Sequence, residues 1–355
     1  MAFKAEWQGI GINSNFLGIR LFSDPNLNAT EPSFRVDWGD GSIETFGPDE
    51  DTDGNGILDT VKPFHGYASD GTYLINASSI QSGLRPVLLE AFLYSRSTTD
   101  VVINATSNRD HMAMGGSGND SFTGRGFSDW FQGNDGNDTA SGAGGFDFLL
   151  GGAGDDTLRG GNGGDLLVGE DGTDYLYGGA DGDSMYGGAG DDRLFGGDGN
   201  DYLSGEAGRD LLLGGSGADT FVYDELVSST IVDRGVVRDF AQGTDHISLT
   251  PSTESFTFIG QGAFNGEGPQ VRYSVSNATY VQVDSDGNGK ADFSFRIDGK
   301  FTLTDADFFF QSPPVGTDVA AMAVSAFGAA DADAGPQAFT FEAQGEHLTY
   351  AFPFS

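Results

Sequence analysis

The sequence predicts an all-β protein built around a right-handed parallel β-roll, with further strands before it and a β-rich cap after it. Three observations carry this expectation. A nine-residue period runs without a slip from Gly115 to Val222. Within it, glycine, aspartate and one apolar residue recur at fixed places. Upstream, residues 72–76 alternate as a strand does and Asp40-Gly41 suits a tight turn.

The array comes first because it sets the fold. It reads GGSGNDSFT, GRGFSDWFQ, GNDGNDTAS, GAGGFDFLL, GGAGDDTLR, GGNGGDLLV, GEDGTDYLY, GGADGDSMY, GGAGDDRLF, GGDGNDYLS, GEAGRDLLL and GGSGADTFV. Position 1 is glycine in all twelve copies, and position 4 is glycine in all but two, which carry Phe127 and Asp181. Position 6 is always aspartate: Asp120, Asp129, Asp138, Asp147, Asp156, Asp165, Asp174, Asp183, Asp192, Asp201, Asp210 and Asp219. Position 8 is always apolar, from Phe122 to Phe221.

Each place has a physical task. The first six residues must turn sharply, and glycine reaches positive φ without a Cβ clash. The last three form a short strand whose middle side chain faces inward. Two nonapeptides then make one 18-residue coil around an apolar core. Aspartate and converging carbonyls form an all-oxygen donor set, which suits calcium (Ca2+) better than zinc or copper. A roll without counter-ions would stack aspartate upon aspartate along each edge at heavy electrostatic cost. A glycine-rich linker would not hold an apolar residue at every ninth place.

The array resembles the RTX family of secreted bacterial proteins, whose consensus GGxGxDxUx these nonapeptides match nearly residue by residue. The resemblance implies ions held between one turn and the turn two repeats later. Twelve repeats would then offer at most ten interior sites, with one or two made doubtful by Phe127 in the second repeat. It also implies folding outside the cell, where calcium is near millimolar.

After the array come VVRDFAQGTDHISL (236–249) and VQVDSDGNGKADFSFRIDGKFTLTDADFF (281–309), which resemble the C-terminal segment of serralysin-type secreted proteases. A solenoid end exposes strand edges and core, so a cap is physically required. Asp284, Asp286, Asn288 and Asp292 have the spacing of an EF-hand-like loop, with Phe295 where the bidentate glutamate would stand. From Phe301 to Ser355 there is no Lys or Arg against seven acidic residues. This stretch is similar to an uncleaved type I secretion signal, which implies export without an N-terminal signal peptide.

At the other end, FRVDWGDGSIETF (34–46) and HGYASDGTYLINAS (65–78) resemble PKD domains, Ig-like β-sandwiches that mediate contact or spacing. Between them Asp51, Asp53, Asn55 and Asp59 again have calcium-loop spacing, with Lys62 at the twelfth place. The expected division is 1–105 PKD-like sandwich, 106–222 roll, 223–312 cap and 313–355 acidic tail.

Composition sets outer bounds. The formal net charge of −36 would repel nucleic acid along its length. With no cysteine, neither disulfides nor thiolate sites are available. No run of 18 apolar residues occurs, so no membrane span is expected. The four histidines, His65, His111, His246 and His347, form no HExxH, and GxSxG and P-loop motifs are absent. Trp38, Trp130 and the phenylalanines could make a carbohydrate platform, but such residues are more often core.

The expected function is therefore a secreted or cell-surface, noncatalytic calcium protein, structural or adhesive. Its partners would be calcium, the type I secretion machinery, and itself or a surface polysaccharide. The alternatives are a secreted enzyme or enzyme accessory of unrecognised type and, last, a toxin or bacteriocin.

Overall fold

The computed structural model describes residues 100–105, 111–224, 232–250 and 256–310, and the course of further strands within 4–95 and 338–351. The chain divides into two compact units, Met1–Arg96 with Ala320–Ser355, and Ser97–Val319.

In the first unit the described strands are antiparallel. Lys4–Trp7 pairs with Phe16–Phe22, which pairs with Phe64–Gly66. Ile43–Phe46, Ser33–Asp37, Thr72–Ile80 and Val87–Ser95 form a second run in that order. The WGDG turn expected of a PKD-like domain and the loop with Asp51, Asp53, Asn55 and Asp59 lie outside the described residues. In the acidic tail, Ala338–Ala343 and Glu346–Ala351 form a hairpin. Residues 311–337 of the expected secretion signal lie outside the described residues.

The second unit is a parallel β-roll. Strands alternate between two sheets, so Thr139–Gly144 pairs with Thr157–Asn162 in one, and Phe148–Ala153 with Leu166–Asp171 in the other. Within the array each partner lies 18 residues away, as Leu158↔Leu176 and Leu167↔Met185 show. Two nonapeptides thus complete one coil. The position-8 side chains stack inward as an unbroken column from Phe122 to Phe221, each at most 1% exposed. Phe122 and Phe131 stack at 5.3 Å where the column begins.

The parallel ladder extends past the nonapeptides at both ends. Val102–Asn104 pairs with Ser121–Thr123, and His111–Met114 with Asp129–Asp135, which places Ile103 and Ala113 at the foot of the column. Beyond the array, Val232–Val237 and His246–Thr250 add Val237 and Ile247 at its head. Phe293–Ile297 then pairs parallel with Val232–Val237 on one edge and antiparallel with Thr279–Asp284 on the other. This switch turns the open ladder into an antiparallel meander with Gln270–Val275 and closes the solenoid. Tyr223 stacks on Phe295 at 3.9 Å and joins the last coil to the cap. Among the described residues the one helical segment is the 3₁₀ turn Asp305–Asp307, and no helix is long and apolar enough to cross a membrane.

Candidate metal centre

Glycine has two separate tasks in the nonapeptide. Positive φ falls at position 2 or 4, as at Gly152 (+114°) and Gly154 (+133°), where the chain reverses. Position 1 is glycine for space. A Cβ on Gly133 would overlap Asp138 Oδ2 and the carbonyl oxygen of Gly151, and one on Gly178 would overlap Asp183 Oδ2. The turn edge is therefore an oxygen-lined cradle that any side chain at position 1 would fill.

The turns form two rows of aspartates, each linked to the next by one hydrogen bond. The backbone N–H of Asp138 donates to Asp156 Oδ1 at 2.6 Å, and that of Asp156 to Asp174 Oδ1 at 2.7 Å. In the other row Asp147 donates to Asp165, Asp165 to Asp183 and Asp183 to Asp201, at 2.7–2.9 Å. All twelve position-6 aspartates are at most 2% exposed. Oδ1 is thereby occupied. The buried Oδ2 atoms of Asp138, Asp156, Asp165, Asp174, Asp183, Asp192, Asp201 and Asp219 meet no hydrogen-bond donor among the described residues. Asp147 and Asp210 hold the corresponding places in the rows.

The first two aspartates differ. Asp120 Oδ2 accepts the N–H of Gly116 at 2.6 Å, and Asp129 Oδ2 that of Arg125 at 2.9 Å. Before them the position-6 place is taken by Val101 and His111, whose backbone N–H groups donate to Asp120 and Asp129. The His111 ring nitrogen Nδ1 also lies 2.9 Å from Asp129 Oδ1. Asp245 continues the second row past the array: it accepts the N–H of Asp219 on Oδ1 and that of Ala241 on Oδ2. Asp245 and Ile247 were legible as positions 6 and 8 of a thirteenth nonapeptide, with Phe240 at position 1. A 17-residue interruption, 223–239, hides that frame from a period search.

Burial pushes these carboxyls up. Loss of water is the largest cause; the N–H bond from the preceding coil pulls back, and neighbouring aspartates push up again. Asp183 rises to about 9 and Asp156 to about 8. Asp138, Asp165, Asp174 and Asp201 rise to about 7, and Asp192 and Asp219 to about 6. Bare, these rows would hold protons near neutral pH. Buried carboxylate oxygens that meet no hydrogen-bond donor among the described residues, in cradles that exclude Cβ and are lined by backbone carbonyls, fit a hard divalent cation such as calcium.

The cap loop is a different arrangement. Asp284, Asp286 and Asp292 bring carboxylate oxygens within 4.8 Å of one another. Asp284 accepts the N–H groups of Asn288 at 3.0 Å and Gly289 at 2.8 Å, and Asp292 those of Ser285 at 2.7 Å and Asp286 at 3.3 Å. Asn288 turns its amide to Asp286 at 2.6 Å. Phe295, at the twelfth place, is a core residue 1% exposed. In this loop Asp284, Asp286 and Asp292 each accept hydrogen bonds from the loop itself.

No curated protein matches the chain. An extracellular lipase from Serratia marcescens is similar in structure at 15% identity and a TM-score of 0.21, over 57% of this chain and 40% of that one. This chain therefore spans well under half the length of that lipase. Residues 97–310 match the family described as Peptidase M10 serralysin C terminal. That span is more than half of the chain and takes in the roll and its cap, so this protein belongs to the Peptidase M10 serralysin C-terminal family.

Proposed function

We propose that this RTX-type protein is a noncatalytic component of the cell surface or extracellular matrix, exported by a type I system, whose roll folds when it meets extracellular calcium. The observation that carries this reading is the pair of buried aspartate rows, in which the Oδ2 atoms of eight members meet no hydrogen-bond donor among the described residues. The aspartates that would hold the ions are Asp138, Asp147, Asp156, Asp165, Asp174, Asp183, Asp192, Asp201, Asp210 and Asp219, one for each of the ten interior places. Asp120 and Asp129 close the first two turns with their own backbone instead.

Bound calcium would supply the positive charge that the rows lack. Residues 115–222 carry 20 acidic groups against four arginines. That imbalance opposes compaction and favours an extended chain inside the cell, where calcium is scarce. Sites of the extracellular class have dissociation constants of roughly 10⁻⁴–10⁻³ M. Ten such sites at tenfold excess would contribute about 14 kcal/mol in total. A whole domain's stability is about 5–15 kcal/mol. Ion binding on this scale decides whether the roll forms.

Sedimentation velocity of the full-length protein in EDTA and in a few millimolar calcium tests the reading. A slow, extended monomer in EDTA and compact, EDTA-reversible assemblies in calcium are expected. A compact monomer alone would remove the structural and adhesive part. Identical profiles in the two buffers would sink calcium-gated folding itself.

A further inference from the structure

The chain carries few cations, and they are not spread evenly. Residues 97–310 contain nine arginines and two lysines. Four of those arginines, Arg193, Arg209, Arg238 and Arg296, line a single cavity of about 480 Å³ where the array meets the cap. The topology assembles it. Arg193 pairs with Leu211, Leu211 with Val236, Val236 with Arg296 and Arg296 with Tyr280, so one row across five neighbouring strands forms its floor. Arg238 and Arg296 share Asp298 through their Nε atoms at 3.5 and 2.9 Å. A guanidinium has five N–H donors, so one carboxylate contact leaves others for a ligand.

Three kinds of group meet here. The guanidinium groups suit a planar carboxylate. Exposed Asp191, with Ser294, offers acceptors for hydroxyl groups. Apolar Leu211 and Val236 offer surface for C–H faces. A bare anion such as phosphate would use the first and be repelled by the second. A neutral sugar would leave the first unused. The volume is that of a small-ligand site.

We propose that this cavity is a binding site for an acidic saccharide, one that carries uronate carboxylates. The proposal rests on the calcium reading in one respect. Asp192 and Asp210, both 1% exposed, form the wall towards the roll, and once their charge is met by calcium the arginines dominate the cavity. Affinity for the saccharide is therefore highest in the calcium-loaded protein.

Isothermal titration calorimetry of the full-length protein in calcium tests it, with trigalacturonate, the neutral galactose trisaccharide and inorganic phosphate as probes. Circular dichroism in calcium and in EDTA runs in parallel as the measure of folding. Trigalacturonate should bind at least tenfold more tightly than either other probe. Arg193→Gln and Arg238→Gln, each shown by circular dichroism to keep the calcium-dependent fold, should each weaken it about tenfold. A fold that responds to calcium with no trigalacturonate binding at millimolar concentration overturns the cavity proposal and leaves the calcium reading standing. Equal binding of phosphate or the neutral sugar, or unchanged affinity in both folded variants, also overturns it. A fold and an affinity both indifferent to EDTA would keep the cavity and remove the calcium reading.

Discussion

At the scale of the residue, the nonapeptide's glycines are not interchangeable. Position 1 is governed by the carboxylate beside it, and positions 2 and 4 by the backbone. Ala143 stands at position 2 with φ of +79°, a left-handed conformation that L side chains adopt at a cost of about 1–2 kcal/mol. Ala143→Gly should therefore raise stability by about 1 kcal/mol in urea unfolding at saturating calcium. Gly133→Ala adds the same methyl group with the opposite result, because its Cβ would overlap Asp138 Oδ2 and the Gly151 carbonyl. That variant should lose about one bound calcium by equilibrium dialysis and unfold at lower urea. Equal effects of the two substitutions would show that the position-1 cradle has no special role.

At the scale of the element, a row of aspartates behaves as one titrating unit. The folded carboxyls lie above the unfolded value of 3.8, from about 6 at Asp192 and Asp219 to about 9 at Asp183. A raised folded pKa means that the folded form binds more protons. Its contribution to stability is full below the unfolded value and is lost as pH rises through the folded one. In EDTA the roll should thus show β-structure near pH 4 and lose it between about pH 6 and 9. In millimolar calcium the same strands should persist above pH 7, and calcium added to the protein in weak buffer should release protons. Far-UV circular dichroism against pH, with and without EDTA, checks this. An EDTA profile that gains structure as pH rises would reverse the sign and refute the account.

At the scale of the whole molecule, a solenoid has no intrinsic end, and its stability depends on how the last coil is covered. Here the parallel ladder passes into an antiparallel meander at Phe293–Ile297. Phe295 is 1% exposed and stacks on Tyr223 of the last coil. Phe295→Ala should cost about 3–5 kcal/mol. It should also expose the coil end, so that the calcium-loaded protein associates at lower concentration than the parent. Thermal unfolding and light scattering in calcium measure the two effects. A parent-like melting temperature would show that the cap is not what closes the roll.

The nine-residue period determined most of what the roll is. A repeat that holds glycine, aspartate and an apolar residue in register carries its structure locally, since each coil sees only its neighbours. The column from Phe122 to Phe221, the two aspartate rows and the 18-residue pairing were all legible in it. What the period could not carry was anything that breaks the frame or joins distant segments. Val101 and His111 stand in aspartate places before the array without resembling aspartate. Asp245 rejoins its row only after a 17-residue interruption. Arg193 and Arg296 lie 103 residues apart in the chain and meet at one cavity because three strand pairings lie between them. Local spacing encodes the coil, while the ends of the solenoid and the cavity between array and cap arise from contacts that only the folded chain brings together.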